Sequence, residues 1–365
     1  MIRAPMGGQA YWNRVVDFRA KGVEEDWVRI GEPSGNPSYR PQFVFDTAIV
    51  HLRLLLSQYS RGDPIPPLAQ HFSGLLDAWE LSNRLAEAVC REHGVEKCRD
   101  WTFALSDLSH YNWCFWLVGL GLVLEIPDGQ WQRLLALVGG EGEDMLLDRV
   151  IASRQAGRRI GRALLHPRPY ARLLRAVDAA PGRQAALLRG FVAHWYPELA
   201  RRRRDDEVWW HIFCDPAKHP LDSGSYFGCW CIEAVAAVKA FGLDDSLCLG
   251  HAHYPGDLLR PHGPGTHRAP SGEDGPGAAA LGHGSEAAAQ PGAGPERVGA
   301  LRYVLAALAF FLTWGMFPSQ ALAELGVGYA WIGLAKIVAA ITAACLVADY
   351  RRKKPQARSP AQPRG

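Results

Sequence analysis

Apolar side chains recur along this chain at helical spacing, and almost nowhere do they alternate as a strand would require. Phe45, Ile49, Leu52 and Leu56 share one face before Arg61-Gly62-Asp63-Pro64 ends the pattern. A second helix is predicted from about Leu68 to Cys90, with Phe72, Leu75, Leu76, Trp79 and Leu85 apolar. From Trp101 to Leu124 the pattern is apolar nearly all round, and the 17 residues Leu108–Leu124 carry no Asp, Glu, Lys or Arg. That length is short for a membrane span, and Ser106, Asp107, Ser109, His110 and Asn112 at its start argue for a buried central helix. Shorter helices are predicted over 128–138 and 143–155, then over Tyr170–Val177, Gln184–Trp195 and Tyr226–Phe241. The expected fold class is all-α.

The pattern divides the chain. Residues 1–40 are polar and turn-rich and read as an irregular lead-in; 41–155 and 156–260 read as two helical parts. Residues 261–296 are Gly, Pro and Ala with almost no large apolar group, the composition of a disordered linker. Residues 297–350 hold two apolar stretches, 21 uncharged residues over Tyr303–Ala323 and 24 over Leu325–Ala348 with Lys336 as their one charge. Arg297 and Arg302 precede them, and the basic tail 351–365 follows. By the positive-inside rule this predicts a transmembrane hairpin with both ends in the cytosol. Lys336 reads either as a snorkelling lysine or as a pairing point for another membrane helix.

Charge sharpens this division. Residues 1–260 carry 30 Lys and Arg against 31 Asp and Glu, so the formal +3 of the whole chain belongs to the tail. A near-neutral body lacks the basic excess of a nucleic-acid binder, and no nucleic-acid partner is expected. Eight scattered cysteines in so long a chain, and an N-terminus without a signal-peptide apolar run, fit a reducing cytosol.

Candidate chemistry concentrates in residues 209–260. His211, Cys214, His219, Cys229, Cys231, His251 and His253 are ligand types for zinc, but no C-x-x-C or H-E-x-x-H spacing occurs, and thiols packed as small apolar groups are the default. A G-x-S-x-G elbow, a P-loop and a dinucleotide fingerprint are missing too, so neither enzyme, cofactor nor small-molecule substrate is indicated. Asp215, Asp222, Glu233, Asp244, Asp245 and Asp257 form a local acidic excess that suits a basic cleft on a partner. They equally suit local duty, with Asp222 and Asp244 as helix caps and Asp257 bonding backbone amides near Tyr254-Pro255. Arg201–Arg204 are neutralised at once by Asp205, Asp206 and Glu207, which reads as a solvated run.

Tyr226-Phe227-Gly228-Cys229-Trp230-Cys231-Ile232-Glu233-Ala234 resembles the Y-x-G-Y-W-x-x-E-A helix start of the PoNi immunity family, with Cys229 where that pattern usually has tyrosine. Phe241-Gly242-Leu243-Asp244-Asp245 and Tyr254-Pro255-Gly256-Asp257-Leu258 continue the likeness, and Tyr59-Ser60-Arg61-Gly62-Asp63 resembles the family's N-terminal YSRGD turn. The resemblance covers about residues 42–260. It implies a non-enzymatic all-α protein that binds and occludes a cognate PoNe-type DNase toxin of polymorphic systems, type VI secretion among them. It carries over Tyr226, Gly228, Trp230, Glu233, Asp244, Asp245, Tyr254, Pro255, Asp257 and Leu258, whether as toxin contacts or as fold positions, with Gly228 and Trp230 expected to pack. The family pattern ends near Leu258, so the tail, an inner-membrane partner on this reading, is an addition. The alternative is a membrane protein whose helical body is a cytosolic sensor.

Overall fold

The computed structural model describes residues 1–94, 96, 99, 103–200 and 208–267. The linker from residue 268 on, the hairpin 297–350 and the run Arg201–Glu207 therefore lie outside the described residues. Among the described residues there is no strand, and no helix is long and apolar enough to cross a membrane.

The helices run in the order α1 (Gln9–Gly31), α2 (Arg40–Arg61), α3 (His71–His93), α4 (Leu108–Val123), α5 (Asp128–Val138), α6 (Met145–Ala152), α7 (Pro167–Val177), α8 (Pro181–Leu199) and α9 (Ile232–Phe241). α2 packs between α1 and α3, α7 pairs with α8, and α4 lies against α9. One continuous core runs through both predicted halves, because the central α4 serves both. Every side chain from Tyr111 to Val123 is buried, as expected for a helix with no polar face. Gly119 lets α9 approach: a methyl group there would sit 2.9 Å from Ala236 Cβ.

Local chemistry sets the helix ends. Gly62 closes α2 in the left-handed region (φ 101°), its amide bonding Gln58 O and Tyr59 O. Asp107 starts α4 by accepting from the His110 amide at 3.0 Å. The fully buried Asp144 starts α6, its carboxylate accepting from the amides of Leu146, Leu147 and Leu165 and from Tyr111 Oη. Four donors remove the penalty that a bare buried charge would carry.

Two expectations are corrected. The lead-in 1–40 is not irregular: residues 9–31 form α1, which buries Tyr11, Trp12, Val15, Val16, Arg19 and Ile30. Its stripe was obscured because Arg19 fills an apolar slot and Gly22 and the acids around it dilute the signal. The helix predicted from Tyr226 begins only at Ile232. The carbonyls of residues 226, 227 and 229 are taken by distant partners, Tyr11 Oη, Ser60 Oγ and the His253 ring, so the segment stays extended.

Candidate functional site

Three motifs far apart in sequence meet in one place. Gly228 has φ 99°, and a Cβ on it would lie 2.0 Å from Trp230 Nε1 and 2.3 Å from Ser60 Oγ. Only glycine fits. Trp230 Nε1 donates to Ser60 Oγ at 2.9 Å, Ser60 Oγ donates to Phe227 O at 3.0 Å, and the Trp230 ring meets Tyr59 edge-on at 5.2 Å. The YSRGD turn is thus the seat of the Y-x-G segment. Residues 1–6 tie into the same knot, since the amides of Arg3 and Ala4 both donate to Ser60 O.

Arg3 then links the turn to the third motif. Its guanidinium donates to Tyr59 O, to Asp63 O and, at 2.7 Å, to the Asp257 carboxylate. Asp257 also accepts from the Thr266 amide and hydroxyl, at 2.6 and 2.8 Å. Burial pushes its carboxyl up, but these bonds and Arg3 outweigh that and hold it below the usual range. Its amide partner is therefore Thr266, not the Tyr254-Pro255 region. Asp245 is equally committed: Tyr254 Oη donates to it at 2.6 Å, and Arg260 donates twice, at 2.5 and 2.9 Å.

Glu233 occupies a separate aromatic chamber and is fully buried. Its Oε1 accepts from Asn112 Nδ2 at 2.8 Å, Tyr170 Oη at 3.0 Å and Trp195 Nε1 at 3.1 Å. Asn112 is fixed in turn by Trp210 Nε1 at 2.7 Å. Glu233 Oε2 has no partner, and Trp116 Nε1, close enough to pull the carboxyl down slightly, is also without one. Burial dominates and pushes the Glu233 carboxyl up to about 7.

Of the ten motif positions, Tyr226, Trp230, Glu233, Asp245, Tyr254, Pro255, Asp257 and Leu258 are buried, and Gly228 is buried as well. Asp244 is exposed, where it accepts from the Ser246 amide at 2.9 Å and so closes a turn. The acidic stretch consequently presents no single acidic face. Asp215 pairs with Lys218, and Asp222 stands exposed in the turn Leu221–Ser223. The candidate metal ligands are likewise occupied by local bonds: His253 Nδ1 meets Cys229 O at 3.0 Å and His211 Nε2 meets Tyr196 O at 3.0 Å. Among the described residues no group of three or more His, Cys, Asp or Glu is arranged to hold a metal ion. The thiols of Cys114, Cys214, Cys229, Cys231 and Cys248 are free, whereas Cys90 is disulfide-bonded, so cysteine usage alone does not assign a reducing compartment.

A second cluster went unread in the sequence. Arg53 of α2 lies among the rings of Trp209, Phe213 and Phe227, and Arg19 of α1 approaches Phe227 from another side. The available signal was a single cation inside the leucine run of α2, Leu52-Arg53-Leu54-Leu55-Leu56, which an all-apolar packing face would not keep.

The PoNe immunity protein (PoNi) N-terminal family model matches residues 3–136, and that for PoNe immunity proteins (PoNi), C-terminal, matches residues 142–258. The fold is similar to the crystal structure of protein PA2201 from Pseudomonas aeruginosa, with a TM-score of 0.54 and 20% identity over 71% of this chain and 89% of that one. At that identity the likeness speaks to fold alone. No curated protein matches the chain. With both halves of the described body matched, the chain belongs to the PoNi family, the immunity proteins directed against PoNe nuclease toxins.

Proposed function

We propose that this protein neutralises a cognate PoNe-type DNase toxin by binding it stoichiometrically and occluding its DNA-cutting cleft. The observation that carries the reading is the pair of family matches, which together span residues 3–258. The body's near-zero charge supports a protein partner over nucleic acid. Two surface hollows, about 380 and 230 Å³, share Glu125 and Lys239, which pair with each other, and the first also holds Ser153, whose hydroxyl donates to Val150 O. A stable inhibitory complex of this kind would bury about 1,200–2,000 Å² and depend on a few residues.

The test mixes the full chain with a PoNe-type nuclease, taken from a neighbouring gene where one encodes it. The expected result is a 1:1 complex on gel filtration and complete loss of DNA cleavage at equimolar ratio. Undiminished cleavage with no complex would end this reading.

The apolar stretch 297–350 favours an added feature, an anchor that holds the antidote at the inner membrane with its helical body in the cytosol. Residues 261–267, expected as linker, are tied to the body through Thr266 and His267, so a flexible linker would be residues 268–296, spanning roughly 27–32 Å and leaving the body free to meet its partner. Carbonate extraction of membranes should retain the full chain and release residues 1–260; equal release of both would remove the anchor. Deletion of residues 297–365 separates this reading from a membrane sensor, since an antidote keeps its protective effect without them.

A further inference from the structure

At Arg53 of α2, a largely buried positive charge meets no carboxylate among the described residues. Arg53 Cζ lies 4.9 Å from the ring centre of Trp209, 5.4 Å from that of Phe213 and 5.8 Å from that of Phe227. Its Nε is buried and has no hydrogen-bond acceptor. Asp46, two turns earlier on α2, exerts only a distant pull. Arg19, 5.8 Å from the same Phe227 ring, is satisfied by neutral groups alone: the Ser57 hydroxyl and the carbonyls of Gly224, Ser225 and Tyr226. Burial, joined at Arg19 by the charge of Arg53, lowers both guanidiniums to about 10, so both remain cationic at neutral pH.

This arrangement is unfavourable in the isolated protein. Desolvating a charge is costly unless an opposite charge and good hydrogen bonds return the loss, and three aromatic faces return only part. Arg53, Trp209 and Phe213 are each partly exposed, so an incoming group can reach them. Arg and Trp are also the side chains that most often dominate interface energetics.

We propose that Arg53, rimmed by Trp209 and Phe213, is the docking point for an Asp or Glu carboxylate of the toxin. The proposal rests on the toxin-binding reading above. An arriving carboxylate would complete the Arg53 fork through charge-assisted hydrogen bonds at a site where Nε is already buried. A nucleic-acid strand fits worse. It would call for several exposed cations along a track, whereas here two recessed guanidiniums sit in a body of net charge −1 over residues 1–260.

The experiment measures affinity of the full chain for the same PoNe-type nuclease, and for a short DNA duplex, in the wild type, Arg53→Met, Arg53→Lys and Arg133→Met. Arg133 serves as the control because it is paired with Asp77 and Glu80. Arg53→Met should raise Kd for the nuclease about 30-fold or more, with Tm unchanged or higher. Arg53→Lys, which keeps the charge but loses the planar fork, should fall between, and Arg133→Met should bind as wild type. Wild-type binding that Arg53→Met leaves intact overturns the assignment of Arg53 and leaves the antidote reading standing. A wild type that binds no nuclease overturns that reading and this proposal with it. Lower Tm in both Arg53 variants with unaltered Kd, or DNA binding that Arg53 alone supports, would likewise overturn the carboxylate assignment.

Discussion

The motif knot and the aromatic–arginine patch both hold guanidinium groups, and they treat them oppositely. In the knot, Arg3 meets Asp257 at 2.7 Å and Arg260 meets Asp245 at 2.5 Å. In the patch, Arg19 and Arg53 have only neutral acceptors and ring faces. The contrast separates two kinds of selection on one body. Fully matched polar groups define which segments touch, because any other arrangement would leave a buried charge bare. An unmatched group defines nothing internally, and its retention points outward. Residues that make the family legible are therefore mostly those that hold the fold, and a partner is better sought where the internal matching stops.

The largest expected disturbance strikes the knot at its tightest point. Gly228→Ala places a Cβ on Trp230 Nε1 and Ser60 Oγ at a φ of 99°. Left-handed strain and overpacking together should cost about 4 kcal/mol, read as a lower urea midpoint with an unchanged m-value. A variant as stable as wild type would mean that the turn and the Y-x-G segment do not need each other.

Next in size is Asp257→Ala, which strands Arg3 and frees the Thr266 amide. Breaking a buried pair from one side should cost about 3–4 kcal/mol. Toxin binding, corrected for the folded fraction, should be unaffected. Binding lost in the still-folded variant would return Asp257 to the list of partner contacts and weaken the contrast drawn above.

Glu233 lies between the two cases, one oxygen matched three times and the other not at all. Its folded pKa, about 7, exceeds the unfolded value of 4.5, so the folded state holds more protons between these values. The stabilisation is complete below about pH 4.5 and is lost as pH rises through 7, to the extent of up to about 3 kcal/mol. His51, His71 and His253 work in the other direction. Burial lowers each to about 4 from 6.5, so the unfolded state binds the extra protons and stability falls as pH drops from 6.5 towards 4. The three histidines outweigh the one glutamate across this range, so the glutamate is read in the difference between wild type and Glu233→Gln. Wild-type minus variant unfolding free energy should fall as pH rises from 4.5 through 7 and level off above that, while both proteins keep the acid limb. A difference that does not change with pH would mean that Glu233 is not the titrating group.

Helix content was readable from sequence because apolar spacing is a local property: Asp128–Val138 stands where its pattern put it, and α2 ends at the Gly62 turn. α1 was not readable, since a buried Arg19 looks polar in a window and is accommodated by the Ser57 hydroxyl and by carbonyls more than 200 residues away. The extended course of residues 226–231 was hidden for the same reason. The resemblance marked the right segments but left open whether carboxylates such as Asp245 and Asp257 face a partner. Arg260 and Arg3, which answer that, are 15 and 254 residues distant in sequence. Arg53 was invisible as a site because an unmatched charge can be recognised only after every neighbour has been placed.

Asp244 gives the smallest expected effect and the finest test of the contrast. It is the one exposed carboxylate among the motif residues, and it accepts from the Ser246 amide at 2.9 Å. That bond holds its carboxyl below the usual range. Asp244→Ala removes a turn-closing acceptor and should lower stability by about 1 kcal/mol or less. Asp244→Lys reverses a charge that a basic nuclease cleft would feel at a distance, so association rate at low salt reports on it directly. If partner recognition runs through Arg53 and a toxin carboxylate, Asp244→Lys leaves that rate unchanged or raises it, because the added charge attracts the same acid. A rate that falls, and falls less as salt is added, would mean that this protein meets its toxin through acid rather than through arginine.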